Sequence, residues 1–180
     1  MDSIQTIIFN TPFGEMILGS FGQNLCLCDW HYRKRRASID ERIQSGLHSG
    51  YVEGESDIIR EARVQLSQYF SGDRKHFDLP LLLVGSGFQK QVWKELGQIP
   101  FGNTVSYAEL SEKLGSKDAI RAVASANGAN AISIIIPCHR VLGSDGRLTG
   151  YAGGLAIKKK LLQLENALPQ GELPLKFQAN

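Results

Sequence analysis

Only three cysteines stand among the 180 residues, an odd number. A scaffold of paired disulfides is therefore not expected, and a reducing, cytoplasmic setting is. No apolar run approaches the ~20 residues that cross a bilayer, so no membrane partner is expected. The opening Met1-Asp2-Ser3-Ile4-Gln5 lacks a basic stretch followed by a long apolar one, so no secretory leader is expected. Charge of one sign is also missing, with a net value of only +2. Internal repeats and low-complexity segments are absent. What remains is an ordinary globular composition, 42% hydrophobic and 21% charged, in a length that suits one large or two small domains.

The small net charge is unevenly spread. Residues 1–86 carry 9 Lys+Arg against 11 Asp+Glu, whereas residues 87–166 carry 10 against 6. The second half is the better candidate for meeting a polyanion.

The pattern of elements divides the same way. Residues 3–9, 15–21 and 24–30 read as strands, with turn chemistry at Thr11-Pro12-Phe13-Gly14 and Gly22-Gln23-Asn24, so a small antiparallel meander is expected. Residues 44–54 hold three glycines and no apolar periodicity, and read as a loop. From Ser56 the period becomes helical, through Ile58, Ile59, Ala62, Leu66, Tyr69 and Phe70, until Gly72. Leu79–Val84 then leads to Gly85-Ser86-Gly87, a domain joint. Beyond it, Ser86/Gln89 and Ser106/Glu109 have capping-box spacing. Phe88, Val92, Trp93 and Leu96 give the first of these helices its apolar face. Residues 118–128 form another helix after Gly115-Ser116-Lys117, in a helix-turn-helix arrangement, and a last helix runs over 155–166. The expected units are 1–85, α/β; 86–168, mostly α; and a tail, 169–180.

Pro137-Cys138-His139-Arg140 is the stretch richest in chemistry. A cysteine beside a histidine and a permanent cation is a candidate nucleophile, because neighbouring positive charge favours the thiolate. The preceding proline and the following glycines suggest an exposed presentation. A buried structural cysteine is as good a reading of the spacing alone. Neighbours in an extended segment point opposite ways, so His139 reaches Cys138 only through a water or a bend. Glu165, seven residues after Lys158 on one helix face, is a candidate for orienting His139; a solvated helix charge is the plainer reading. On helix 118–128, Ile120, Val123 and Asn127 face inward and Arg121, Ala122, Ser125 and Ala126 outward. So bare a face suits a narrow groove with Arg121 as the one long projection. Tight packing on a neighbour is the plainer alternative. Cys26, Cys28 and His31 look like half a metal site, yet two strand cysteines pointing one way do not make one. The basic run Tyr32–Arg36 reads as a solvated strand end, with a secondary phosphate contact as the alternative.

Taken together, these stretches resemble the O6-alkylguanine-DNA alkyltransferases, or methylated-DNA–protein-cysteine methyltransferases. The resemblance covers Phe88 to Glu165. It rests on Phe88–Trp93, Ile99-Pro100-Phe101-Gly102, Ser106-Tyr107, Ala119–Val123, Asn127–Asn130, Ile136–Val141 and Gly150–Gly154. It implies a ribonuclease-H-like N-terminal domain and a winged helix-turn-helix-like C-terminal one. It implies double-stranded DNA carrying an alkylated base as partner, met through the minor groove, with no cofactor, no metal and no obligate protein partner. Cys138 would accept the alkyl group of O6-alkylguanine, or less readily O4-alkylthymine, in a single turnover. His139 would act as base through water, Glu165 would orient it, and Asn130 would hold the turn. Tyr107 would contact guanine N3, Lys158 would assist near the thiolate, and Arg121 would fill the place of the extruded nucleotide. Ala122, Ser125, Ala126 and Gly128 would lie against DNA, and Val141, Tyr151, Ala152 and Gly153 would line the base pocket. Two positions depart from the family pattern. Ala131 stands where proline is common, which implies a less rigid loop, and Lys160 stands where tryptophan is common. Two other readings compete: a damage-binding protein without transfer chemistry, which Cys138 argues against, and a cysteine hydrolase, for which the helix-turn-helix would serve no purpose.

Overall fold

The structure is a computed structural model that describes residues 3–168. The tail expected over 169–180 lies outside the described residues. Three strands come first: β1 (Ile4–Thr11), β2 (Gly14–Phe21) and β3 (Asn24–Trp30). Thr11 Oγ1 accepts from the Phe13 N–H and donates to the Gly14 carbonyl, closing the first turn. The expected meander forms, but the sheet is not purely antiparallel. A fourth strand, β4 (Tyr51–Glu53), pairs parallel to β1 and gives the order β3-β2-β1-β4.

Helix α1 (Arg36–Leu47) connects β3 to β4. Together they occupy much of the segment expected to be a loop. The reason is packing: α1 buries only Ile39 and Ile43, and Arg36 and Arg42 fill other inward positions, so the usual apolar period is missing. Gly46 marks a close approach rather than a loop, since a Cβ there would stand 2.5 Å from Val84 Cγ1.

Both faces of the sheet are covered. Met16, Leu18, Cys28 and Trp30 join a core with Leu66 and Tyr69 of α2 (Asp57–Phe70) and with Trp93, Val123, Ile132 and Leu161 from the second half. Cys26 and Leu27 face the other way, toward Ile4, Ile39 and Ile43. The two cysteines of β3 were expected to point in one direction. A register slip opposite Gly19/Ser20 inserts one residue and sends them to opposite faces. Among the described residues no group of three or more His, Cys, Asp and Glu is placed to hold a metal, and no helix is long and apolar enough to cross a membrane.

The second half contains α3 (Gly87–Leu96), α4 (Tyr107–Lys113), α5 (Ile120–Gly128) and α6 (Leu155–Leu164). A two-strand parallel pair, β5 (Val105–Ser106) and β6 (Val141–Leu142), completes it. Both capping boxes form, at Ser86/Gln89 and Ser106/Glu109. The phase of α5 differs from expectation. Ile120 is 40% exposed, whereas Ala126, expected outward, is buried. Trp93 sets this phase: its Nε1 donates to the Ala126 carbonyl at 2.8 Å, drawing the Val123/Ala126/Asn127 side onto α3. Phe88, expected on the apolar face of α3, is 38% exposed.

Backbone hydrogen bonds sew the halves together along β3. Leu25 holds the segment that leads to the expected joint, donating to Pro80 and accepting from Leu82; across the halves, Cys28 donates to Ala131 and accepts from Ser133. Asp29 anchors the same seam. Its buried carboxylate receives Arg33 and Arg36, both at 2.9 Å, the Ser133 hydroxyl at 3.0 Å and the Trp30 N–H. Asp29→Ala would leave the buried Arg33 without a counter-charge and Arg36 with Asp40 alone. The expected loss is about 3–5 kcal/mol of stability, measured as a lower urea midpoint with an unchanged slope.

Candidate active site

Residues 130–137 are irregular and buried, so their backbone groups need partners. Asn130 supplies them: Nδ2 donates to the Ile136 carbonyl at 2.9 Å, and Oδ1 accepts from the Ile132 N–H at 2.9 Å. Within this turn Ile134 holds φ at 73°, a strained value for a β-branched residue. The Ala131 carbonyl receives the Cys28 N–H at 2.9 Å. The segment then closes into a 3-10 turn, Cys138–Arg140, with Arg140 N–H donating to Pro137.

That turn corrects two expectations. Cys138 does not lie on extended backbone, and it is not exposed: it is 2% accessible, at the floor of a cleft of about 590 Å³. Tyr107, Asn127 and Gly128 form one wall of the cleft, Gly150–Leu155 a second, and Tyr32–Arg35 a third. Burial pushes the thiol pKa up, and the hydrogen bond from Asn130 and the charges of Lys158 and Arg33 only partly offset it. The resting group is a thiol. Arg140, the cation expected to favour the thiolate, is instead committed to Glu165.

His139 is wholly buried, and burial pushes its pKa down despite the hydrogen bond and charge of Glu165. A neutral imidazole results. Nε2 lies 2.7 Å from Glu165 Oε1. A carboxylate can only accept, so Nε2 carries the proton and Nδ1 the lone pair. Nδ1 has no partner among the described residues.

Glu165 is no solvated helix charge. It caps the C-terminus of α6 and is buried. Besides His139 it receives Arg140 Nε at 2.8 Å, Arg140 Nη2 at 3.0 Å and the Tyr69 hydroxyl at 2.7 Å. Burial alone would raise its pKa; the hydrogen bonds of His139 and Arg140 and the permanent charge of Arg140 outweigh burial and hold it down to about 2. Lys158 is equally buried, and its ammonium donates to the carbonyls of Val141, Thr149 and Gly150. Burial lowers its pKa to about 8, against the opposing pull of Cys138.

The remaining predicted residues divide. Tyr107 accepts from Asn127 Nδ2 at 3.3 Å, and burial raises its pKa, so it is a neutral phenol. Arg121, Ala122, Ser125 and Gly128 form an exposed stripe on α5; Ala126 is not part of it. Tyr151, Ala152 and Gly153 line the cleft, whereas Val141 lies beneath it. A Cβ at Gly153 would come 2.8 Å from the Trp30 ring, and Trp30 Nε1 donates to the Tyr151 hydroxyl at 2.9 Å. Lys160, the second departure from the pattern, lies over the Phe13 ring at 5.6 Å. Of Cys26, Cys28 and His31, none lines the cleft.

Sequence reasoning missed three supporting residues: Trp30, Arg33 and Tyr69. A buried tyrosine needs a hydrogen-bond partner, which was the only available signal for Tyr69. Arg33 was hidden in the basic run.

A buried thiol next to a neutral, carboxylate-oriented imidazole, opening on a cleft beside a bare helix face, marks a cysteine-centred transfer protein. Comparison with known proteins narrows that class. The family described as 6-O-methylguanine DNA methyltransferase, DNA binding domain, matches residues 87–167. A methylated-DNA–protein-cysteine methyltransferase of Methanosarcina barkeri is 45% identical over 158 residues, covering 88% of this chain and 94% of its own. One from Mycobacterium tuberculosis is 40% identical over 169 residues, covering 92% and 94%. Among solved structures, Mycobacterium tuberculosis OGT in complex with DNA superposes with a TM-score of 0.76 at 39% identity, covering 92% of this chain and 93% of that one. The chain belongs to the methylated-DNA–protein-cysteine methyltransferase family.

The low pKa of Glu165 has a signed consequence. A carboxylate with a lower pKa folded than unfolded stabilises the fold above its ordinary value of 4.5, and the contribution disappears as pH falls toward 2. The stability advantage of the parent over Glu165→Gln is therefore expected to be full at pH 7 and to shrink between about pH 4.5 and 2. Urea titrations at successive pH values measure it; a constant difference would contradict the assignment.

Proposed function

We propose that this protein repairs DNA by direct reversal, moving the alkyl group from O6-alkylguanine, and less readily O4-alkylthymine, onto Cys138. The observation that carries this reading is Cys138 at the floor of the cleft, followed in the same 3-10 turn by His139, whose Nε2 bonds Glu165 at 2.7 Å and whose Nδ1 has no partner among the described residues. A thiol at rest needs a base at the moment of reaction. His139 Nδ1 takes the proton of Cys138 through one water, and Glu165 stabilises the imidazolium that forms. The thiolate attacks the alkyl carbon, an S–C bond forms, and the C–O bond breaks. The electron pair returns to the purine, and Tyr107, hydrogen-bonded to N3, helps neutralise that charge. Lys158 offers a cation near the thiolate, and Asn130 holds the turn that presents it.

The buried position of Cys138 requires the base to leave the duplex, a step that costs a few kcal/mol. Arg121 fills the gap left behind. The exposed stripe of Arg121, Ala122, Ser125 and Gly128 suits close approach to a minor groove, where little sequence can be read. Tyr151, Ala152, Gly153 and backbone near Val141 receive the base. The arrangement α4–Gly115–α5 beside the β5/β6 pair supports a winged helix-turn-helix over residues 86–168. The strand order β3-β2-β1-β4 supports a ribonuclease-H-like unit over 1–85. Among the described residues nothing near Cys138 is placed to cleave a thioether, which supports a single turnover for each molecule.

The intact protein, incubated with a duplex containing O6-methylguanine, is expected to gain one methyl on Cys138 and no more. Cys138→Ala is expected to gain none. Binding without a mass change, or repeated turnover, would sink the proposal. His139→Gln is expected to slow transfer by about 10²–10⁴-fold at pH 7, the usual reach of a general base, with DNA affinity unchanged in a gel-shift titration.

A further inference from the structure

The chemistry above uses Arg33 and Arg36 but leaves Lys34 and Arg35 of the basic run Tyr32–Arg36 without a role. The first half of the chain is net acidic, yet four of its nine cations sit here in succession. The structure separates them by partner. Arg33 turns inward: Nη1 bonds Asp29 and the Asn130 carbonyl, and Nη2 the Gly128 carbonyl. Arg36 bonds Asp29 and Asp40. Asp29 and Asp40 thus neutralise these two. Lys34 and Arg35 remain exposed, and their charges have no ion-pair partner among the described residues. Tyr32, beside them, is 78% exposed.

Placement gives these free charges a meaning. Lys34 and Arg35 line the cleft whose floor is Cys138, next to Arg33, whose guanidinium bonds the Gly128 carbonyl on the same rim. Arg33 clamps their backbone to the end of α5, so they are mounted rigidly relative to the exposed stripe of that helix. A nucleotide lying in the cleft must connect at its rim to the strand on either side. Each connection is a phosphodiester with a full negative charge.

We infer that Lys34 and Arg35 form a phosphate clamp, holding the DNA backbone that flanks the extruded nucleotide. The inference rests on the transfer reading above and adds a contact from the N-terminal half. It contributes affinity without sequence preference, because phosphate contacts position a duplex but do not read it. Each neutralised phosphate releases counterions and adds about 0.9 to the slope of log affinity against log salt.

The test uses the full chain carrying Lys34→Ala and Arg35→Ala. Affinity for a duplex with one O6-methylguanine is measured by fluorescence anisotropy from low to high KCl, on a Cys138→Ser background so that no methyl moves. The salt slope is expected to fall by about 1.8, and affinity at 0.1 M salt by roughly one to two decades. The exchange Lys34→Arg with Arg35→Lys keeps both charges and is expected to keep the slope. In the chain with Cys138 intact, methyl transfer from the free O6-methylguanine nucleoside is expected to stay within about twofold of the parent, since no phosphodiester flanks it. An unchanged slope in the double alanine variant would overturn the clamp while leaving transfer standing. Equal loss with the free nucleoside would also overturn it, because the two residues would then shape the cleft. A parent that takes no methyl from either substrate would overturn the transfer reading itself.

Discussion

Irregular backbone cannot be buried unless its carbonyls find donors, and this constraint organises the molecule from Gly128 to Gly150. Asn130 and backbone N–H groups supply many of these donors, and cationic side chains supply the rest. Arg33 serves Gly128 and Asn130, Arg42 serves Ala129, Arg140 serves Ile99, and Lys158 serves Val141, Thr149 and Gly150. Two of these four, Arg33 and Arg42, come from the first half of the chain. The loop that carries Cys138 is therefore shaped from outside its own half, and the N-terminal sheet acts as part of its scaffold.

Two buried carboxylates complete that scaffold, one on each side of Cys138. Asp29 gathers Arg33, Arg36 and Ser133 on the Asn130 side. Glu165 gathers Tyr69, His139 and Arg140 on the other. In a low-dielectric interior each such ion must be fully partnered or be very costly, so the geometry around both is closely held. For His139 the outcome is one tautomer and one ring orientation, with Nδ1 as the only atom free to take a proton.

Local chemistry made much of the fold legible. The turns at Thr11 and Gly22, the capping boxes at Ser86 and Ser106, and the stops at Gly72 and Gly115 act over a few residues, and all are found in place. Features set by distant packing were not legible. Helix α1 hides because arginines occupy positions that apolar residues normally take. The phase of α5 follows Trp93, 33 residues away. In the site, Cys138, His139 and Glu165 were recognisable from motif order. Tyr69 and Arg33 were not, because their partners lie 96 and 97 residues along the chain.

The inserted residue in β3 carries one last implication. It buries Cys26 and Cys28 on opposite faces of a sheet covered on both sides, so the sulfurs face away from each other and neither lines the cleft that holds Cys138. Desolvation raises both thiol pKa values, which removes the reactive thiolate form as well. To an electrophile in the surrounding solution, a chain with three thiols thus presents a single addressable one, at the bottom of a cleft that selects what may approach it. Under the proposed transfer, selectivity rests as much on keeping two cysteines away from the cleft as on the base that serves the third.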